Sequence, residues 1–327
     1  MSAFTTRAFV ANRASGSRQT LWRRIVAARW CYLFILPSLV LAAMFTFYPI
    51  LASWYFSLLD WSGFSTDRAF VGLDNYRELT GDAFFWRAFG RSFLFALVTV
   101  PARLILALIV AIILNNKALK LAPIFRTLFF IPVVTTTAIV GILMHFLFSP
   151  FNGPVNQVLL GLHVLPKPFD FLGNPQSVLG TVMGVQVWKT LGITMIYWLA
   201  ALQSIPGELY EAARVDGASR WVIVRDITLP LLKPFAAVIL LITAVQTLRI
   251  FDLVQTMTGG GPFFSSEVME VYIFRQAFSN TAGSSRLGYA SAAGVFFGVA
   301  VMVIALAQGW VVRKANAVRA DLQTGGQ

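Results

Sequence analysis

Residues 211–234, EAARVDGASRWVIVRDITLPLLKP, form a polar and charged insert between two strongly apolar stretches. Pro206-Gly207-Glu208-Leu209-Tyr210 ends the first stretch and starts a new helix, with Glu208 and Glu211 at its positive N-terminal end. Ala212 and Ala213 keep the surface of that helix smooth. Asp216-Gly217 marks a left-handed turn, after which Trp221, Val222, Val224 and Ile227 give a second short helix an apolar side. Pro230 and Pro234 are expected to stop this element and redirect the chain into the next apolar stretch. The expectation is helix, turn, helix, a compact element that offers a docking surface to the aqueous phase. The plainer reading is an interfacial amphipathic loop with Trp221 at the lipid headgroups.

Of 327 residues, 57% are hydrophobic and 12% charged, and the mean hydropathy is +0.71. These values exclude a soluble domain and indicate a polytopic membrane protein. The net charge of +12 then reflects orientation in the bilayer, and nucleic acid is not an expected partner. Cys31 is the single cysteine, so an intrachain disulfide and a cysteine-based metal site are excluded.

Six stretches suffice to cross about 30 Å of hydrocarbon, which takes about 20 helical residues. They lie near 30–58, 92–114, 128–148, 178–202, 235–257 and 288–312, giving an all-α membrane protein with six transmembrane helices. The first is too long for a signal-peptide core and lacks a small-residue cleavage pattern after it, so Arg23-Arg24 reads as an anchor flank. Lys and Arg in alternate flanks number sixteen on the side of 1–29, 115–127, 203–234 and 313–327, against seven on the other. By the positive-inside rule both termini and the 211–234 insert are cytoplasmic. The organisation expected is a cytoplasmic segment 1–29, a membrane domain 30–312 containing the loop 206–234, and a tail 313–327. The first residues and 317–327 read as disordered.

At this point a resemblance becomes specific. Glu211-Ala212-Ala213, three residues, Gly217, nine residues, Ile227, one residue, Leu229-Pro230 is similar at every defining position to the EAA signature of permease subunits of binding-protein-dependent ABC importers. Within that superfamily the chain resembles the carbohydrate-uptake group, and specifically the large maltose-permease subunit. Supporting stretches are Phe70-Val71-Gly72-Leu73-Asp74-Asn75-Tyr76, Thr258-Gly259-Gly260-Gly261-Pro262 and Tyr272-Ile273-Phe274-Arg275-Gln276-Ala277-Phe278. Unlike the maltose subunit, this chain has no extra N-terminal spans and no large periplasmic insert. The resemblance implies the ABC type I importer permease fold in a bacterial inner membrane. It also implies a second, similar permease subunit, two ATPase subunits and an extracytoplasmic sugar-binding protein as partners. No Gly precedes any Lys, so the chain has no G-x-x-x-x-G-K-[ST] loop for nucleotide phosphates. No cofactor is expected on this chain; ATP and magnesium belong to the partner ATPase. The coupling set implied is Glu211, Ala212, Ala213, Asp216, Gly217, Leu229 and Pro230, with Glu211 making a charged contact and Gly217 permitting the turn.

A translocation path needs polar groups inside the membrane, where they are costly unless paired or wetted. Gln186, Lys189, Thr190 and Ile193 share one helical face of the fourth span. The fifth span offers Thr243, Gln246, Thr247, Arg249 and Asp252. The resemblance places sugar-contacting positions at Gln186, Lys189, Thr190, Ile193, Thr243, Thr247 and Asp252. Gln and Thr suit sugar hydroxyls because both donate and accept hydrogen bonds, and Trp188 and Tyr197 add stacking surface. Lys189 and Asp252 stand where the maltose permease has apolar residues. A structural ion pair between them is the favoured reading, an Arg249–Asp252 pair at i, i+3 being the alternative.

His145 and His163 have no second ligand at useful spacing, so no metal site is expected. Gly180 and Gly184, and Gly294 and Gly298, read as close-packing patches within this chain or against a partner. Asp60, Asp67, Asp74, Glu78 and Asp82 read either as a contact surface for a binding protein or as a solvated loop. The function expected is the permease subunit of an ATP-driven di- or oligosaccharide importer, passing solute without chemical change. The same-class alternative is an importer of glycerol phosphate or another polar solute. A stand-alone secondary transporter would show inverted repeats, and a membrane enzyme a His, Cys or acid cluster; neither is seen.

Overall fold

The computed structural model describes residues 29–116, 119–278 and 285–324, with 311–324 described by backbone alone. The chain divides into two compact units, Met1–Tyr55 and Phe56–Gln327. The described part of the first belongs to helix α1, Arg29–Phe56, apolar throughout and interrupted by a π turn at Ala43–Phe47.

The second unit opens on a two-residue antiparallel ladder, β1 (Leu59–Asp60) with β2 (Ala69–Phe70), and the short helix α2 (Asp74–Gly81). Helix α3 (Ala83–Leu114) follows as its longest uninterrupted apolar helix. Then come α4 (Ala122–Val134), α5 (Thr137–Leu147), α6 (Pro154–Gly161), α7 (Val178–Gln203) and α8 (Gly207–Val215). Helix α9 runs Arg220–Thr247, and α10 (Phe251–Met257), α11 (Met269–Phe278) and α12 (Leu287–Thr324) complete the unit. Among the described residues, α1, α3, α7, α9 and α12 as far as Trp310 are each long and apolar enough to cross a bilayer. The α4–α5 pair passes the same test only when its two helices are taken together, as a sixth, broken span or a re-entrant loop.

Three sequence expectations change here. The third span is not one straight helix: α4 and α5 meet at 98°. Val133, Val134, Thr135, Thr136 and Thr137 are five consecutive β-branched residues after Pro132, a run with poor helix propensity, and Thr135 takes an extended ψ of 136°. The second change is at Pro230 and Pro234, which do not stop a helix, because α9 continues through both. A π turn at Ile223–Thr228 precedes Pro230, with the Leu229 N–H reaching back five residues to the Val224 carbonyl, so the regular α ladder is already replaced just before the first proline. Third, α12 continues as helix through 317–324, read from sequence as disordered; 1–28 and 325–327 lie outside the described residues.

Packing centres on α3 and α7. Ala107 and Ala111, both fully buried at i and i+4, let α7 approach, and Trp198 donates its Nε1–H to the Leu104 carbonyl at 3.1 Å. Gly192 brings α7 onto α4, since an added Cβ would collide with the Phe129 carbonyl. By contrast, nothing in the chain lies within 4 Å of a Cβ added at Gly180, Gly184 or Gly298. Those three glycines do not serve close packing within the described chain.

At the N-terminal rim of α3, Asp82 caps the helix by accepting from the Phe84 N–H at 2.7 Å. The same carboxylate accepts from the hydroxyls of buried Tyr272 at 2.5 Å and Tyr289 at 2.9 Å, joining α3, α11 and α12. Glu78 and Arg286 form a two-bond ion pair nearby, at 2.7 and 2.5 Å. Asp82 and Glu78 are therefore structural rather than freely solvated, while Asp60 and Asp67 stay exposed and Asp74 only approaches Arg77 at 4.0 Å.

Two outcomes test this packing. Gly192→Val should cost about 1–3 kcal/mol by overpacking, seen as a lower melting midpoint in detergent, whereas Gly180→Val should melt as wild type; equal midpoints refute the contact. Burial raises the Asp82 pKa, but hydrogen bonds from Tyr272, the Phe84 N–H and Tyr289 outweigh it and hold the carboxyl below its ordinary range. Its contribution is thus present above the unfolded carboxylate pKa and lost as pH falls through the lowered folded value. Asp82→Asn should flatten the stability profile in that acid window; an unchanged profile would refute the assignment.

Candidate coupling element and translocation path

Helix α8 begins after Pro206 with Glu208 in its first turn and ends with Arg214 in its last, both favourable to the helix dipole. Its end is a Schellman motif: Ala218 N–H donates to the Ala213 carbonyl at 2.9 Å and Gly217 N–H to that of Arg214 at 3.1 Å. Gly217 has φ of +78° with nothing within 4 Å of an added Cβ, so conformation rather than space demands glycine. The chain then restarts at Ser219, whose Oγ accepts from Val222 N–H.

The expected turn is present, but the faces differ in part from the sequence reading. Glu211, Ala212 and Asp216 are exposed, whereas Ala213 is buried against the protein and is not part of an outward surface. Trp221 and Val222 point outward, at 69% and 42% exposure, and the inward positions are Ile223 and Thr228. Leu229 is exposed and Pro230 half-buried, both within continuous α9. The Thr228 hydroxyl donates to the Ile223 carbonyl, so Tyr210 donates to Thr228 Oγ1 at 3.3 Å. This bond pins α8 to α9.

Within the spans, Gln186 and Lys189 on α7 retain 7% and 8% exposure, and Thr190 and Ile193 are half-buried. The Thr190 hydroxyl donates to the Gln186 carbonyl at 2.7 Å. On α9, Thr243 and Thr247 are 0% and 1% exposed and donate to Ile239 and Thr243 carbonyls, both at 2.7 Å. Asp252 is not with them. The helix breaks at 248–250, and Asp252 is exposed in the first turn of α10, whose leading N–H, that of Phe251, donates to Glu270 at 2.7 Å. The break rotates Asp252 off the α9 face, so neither the Lys189–Asp252 pair nor the Arg249–Asp252 pair forms. Lys189 has no hydrogen-bond or ion-pair partner among the described residues.

Arg103, in the middle of α3, was not singled out by sequence reasoning, yet it is 2% exposed. Its Nε donates to Thr194 of α7, and its NH2 lies 3.5 Å from Gln246 Oε1 of α9. The available signal was the charge itself, an arginine inside an apolar span. His145 has a structural role, its Nδ1–H donating to the Met257 carbonyl at 2.9 Å and tying α5 to α10.

Residues 83–317 match the family described as binding-protein-dependent transport system inner membrane component. The probable ABC transporter permease protein YurN of Bacillus subtilis is 35% identical over 279 residues, covering 84% of this chain and 92% of its own. The lactose transport system permease protein LacF of Rhizobium radiobacter is 34% identical, covering 81% and 88%. The trehalose/maltose transport system permease protein MalF of Thermococcus litoralis is 36% identical, covering 72% and 79%. A chain of a bacterial ABC transporter that imports the acidic polysaccharide alginate superimposes with a TM-score of 0.77 at 26% identity, covering 90% of this chain and 98% of that one. The alginate transporter was also solved in complex with its alginate pentasaccharide-bound periplasmic protein. A bundle of this topology, matched over most of its length, belongs to the inner membrane components of binding-protein-dependent transport systems, the multi-pass permeases of ABC importers.

Proposed function

We propose that this chain is the permease subunit of an ATP-driven importer of di- or oligosaccharides, which receives work at α8 and converts it into alternating access. The observation that carries the proposal is the α8–α9 junction. An outward helix with exposed Glu208 and Glu211 is pinned by Tyr210 to a second helix that runs unbroken from Arg220 to Thr247. A load on α8 therefore reaches Gln246, and through Arg103 reaches α3 and α7. Two ATPase subunits holding ATP and magnesium supply the load, a second similar permease closes the other half of the path, and an extracytoplasmic binding protein delivers the sugar. In this reading 206–234 is cytoplasmic, a placement supported by the excess of basic residues in its set of flanks.

Gln186, Lys189, Thr190 and Ile193 form this chain's wall of the path, and Thr243 and Thr247 join it when α9 moves away from its neighbours. A second reading, an anionic or phosphorylated polar solute, is favoured by Lys189, a cation with no counter-charge among the described residues. It keeps the same machinery.

In vesicles holding the complete transporter, Glu211→Lys or Gly217→Pro should reduce ATP-dependent uptake at least tenfold while the chain still inserts; unimpaired uptake would sink the coupling role. Uptake by the purified chain alone would point instead to a secondary transporter. Gln186→Ala should raise the KM for uptake several-fold with basal ATP turnover unchanged, and an unaltered KM would remove Gln186 from the path. Calorimetry on the binding protein with neutral and anionic sugars separates the two cargo readings.

A further inference from the structure

A cavity of about 630 Å³ opens at the rim where α3 and α7 end, lined by the last residues of those spans and by α8 and the start of α9. Its polar side carries Arg214, Arg220, Tyr210 and Asn115, and its apolar wall includes Ile112, Ile113 and Leu202. No acidic residue lines it. Arg214 and Arg220 are both exposed, and neither has an ion-pair or side-chain hydrogen-bond partner among the described residues, so two arginines line one space that has no acid in its wall. Free guanidinium groups lining one space are donors for an anion, which they can hold by charge-assisted hydrogen bonds.

We propose that this cavity binds the headgroup of an anionic phospholipid, with Arg214 and Arg220 holding the phosphodiester. The choice of a lipid over a free phosphate rests on the apolar wall. Ile113 continues into Ile109 and Ile105 at intervals of four along α3, and these are 57%, 50% and 60% exposed, a single stripe facing out of the bundle. A headgroup at the arginines thus leaves an acyl chain lying along that stripe. Arginine pairs with phosphate in bidentate fashion, and the position at the ends of two spans is headgroup level. Trp221, beside Arg220 and 69% exposed, is the aromatic expected at that level.

The geometry also separates this site from the coupling surface. On α8, Tyr210 and Arg214 are four residues apart and line the cavity, while Glu208, Glu211 and Val215 are exposed elsewhere on the helix. A bound lipid wedges between α8 and the span ends, and the outer face stays free for a protein partner. Lipid composition then tunes how stiffly α8 is held.

Native mass spectrometry of the full chain in mild detergent tests the site with phosphatidylglycerol, phosphatidylcholine and inorganic phosphate as probes. The wild type should hold phosphatidylglycerol at least tenfold more tightly than phosphatidylcholine, and inorganic phosphate at millimolar concentration should not displace it. The double variant Arg214→Gln/Arg220→Gln should lose that preference, as should Ile113→Asn, which leaves both arginines in place and spoils only the apolar wall. Unchanged phosphatidylglycerol retention in the double variant overturns the proposal. So does displacement by phosphate alone, which makes the site one for a free anion. Dependence of ATPase recovery on the two arginines, with lipid retention unchanged, assigns them to protein docking and likewise overturns it.

Discussion

A guanidinium inside a membrane-spanning helix has to be satisfied by neighbouring side chains, because no water is at hand in the hydrocarbon and an orphaned charge there costs several kcal/mol. Arg103 meets this demand across three helices, donating to Thr194 on α7 and to Gln246 on α9 from its own place on α3. The Thr194 hydroxyl spends its proton on the Thr190 carbonyl at 3.2 Å, so its lone pairs are held towards Arg103. Registers of α3, α7 and α9 are thereby fixed against one another at one depth. Thr190, on the proposed wall of the path, sits one turn from the contact. Any sliding of α9 must carry Arg103 along or break its reach to Gln246.

That constraint gives the proposed α8–α9 lever something to act on. A lever transmits displacement only where it is stiff and yields only where it is hinged, and the two properties are separated along this chain. The buried Ile223 and the Tyr210–Thr228 bond hold the near end. The break at 248–250 comes immediately after the Arg103 contact, and the next helix is held by a different group, Glu270, through the Phe251 N–H. Burial pushes the Glu270 carboxyl above its usual range, with that N–H working in the opposite direction, so the cap is a strongly environment-dependent one. The opposite rim is held separately, by Asp82, Tyr272 and Tyr289, which tie α3, α11 and α12 together.

Hydropathy made the spans legible, since a run of about 20 apolar residues leaves a bilayer helix little alternative. The coupling turn was legible for another reason: Asp216-Gly217 after a short acidic-to-basic helix is a local signal, and its Schellman closure involves residues at most five apart. What escaped were features set by distant partners or by competing local preferences. The 98° break was written in five β-branched residues, a backbone preference that a hydropathy average over about 20 residues does not register. Pro230 was read as a stop because the π turn that tolerates it has no composition of its own. Arg103 finds its partners 91 and 143 residues away, so counting charges in the flanks passed over it.

The proposed path residues divide by what their hydrogen bonds still allow. Thr243 and Thr247 have already spent their hydroxyl protons on carbonyls of their own helix, and at 0% and 1% exposure neither is open to a solute in this structure. Each offers a lone pair more readily than a donor. Thr190 is committed in the same way, to the Gln186 carbonyl. Donor capacity along the path therefore falls to the Gln186 amide and the Lys189 ammonium. A ring of sugar hydroxyls, which accept as well as donate, would be met on this side mainly by those two groups, with the threonines accepting in return. Of these groups only Lys189 bears a charge, and with Asp252 turned away at the head of α10 that charge is balanced by no residue of the described chain. In the proposed path a solute carrying a carboxylate or phosphate would supply the balance itself, which would make Lys189, rather than the more numerous threonines, the group that discriminates for such a solute.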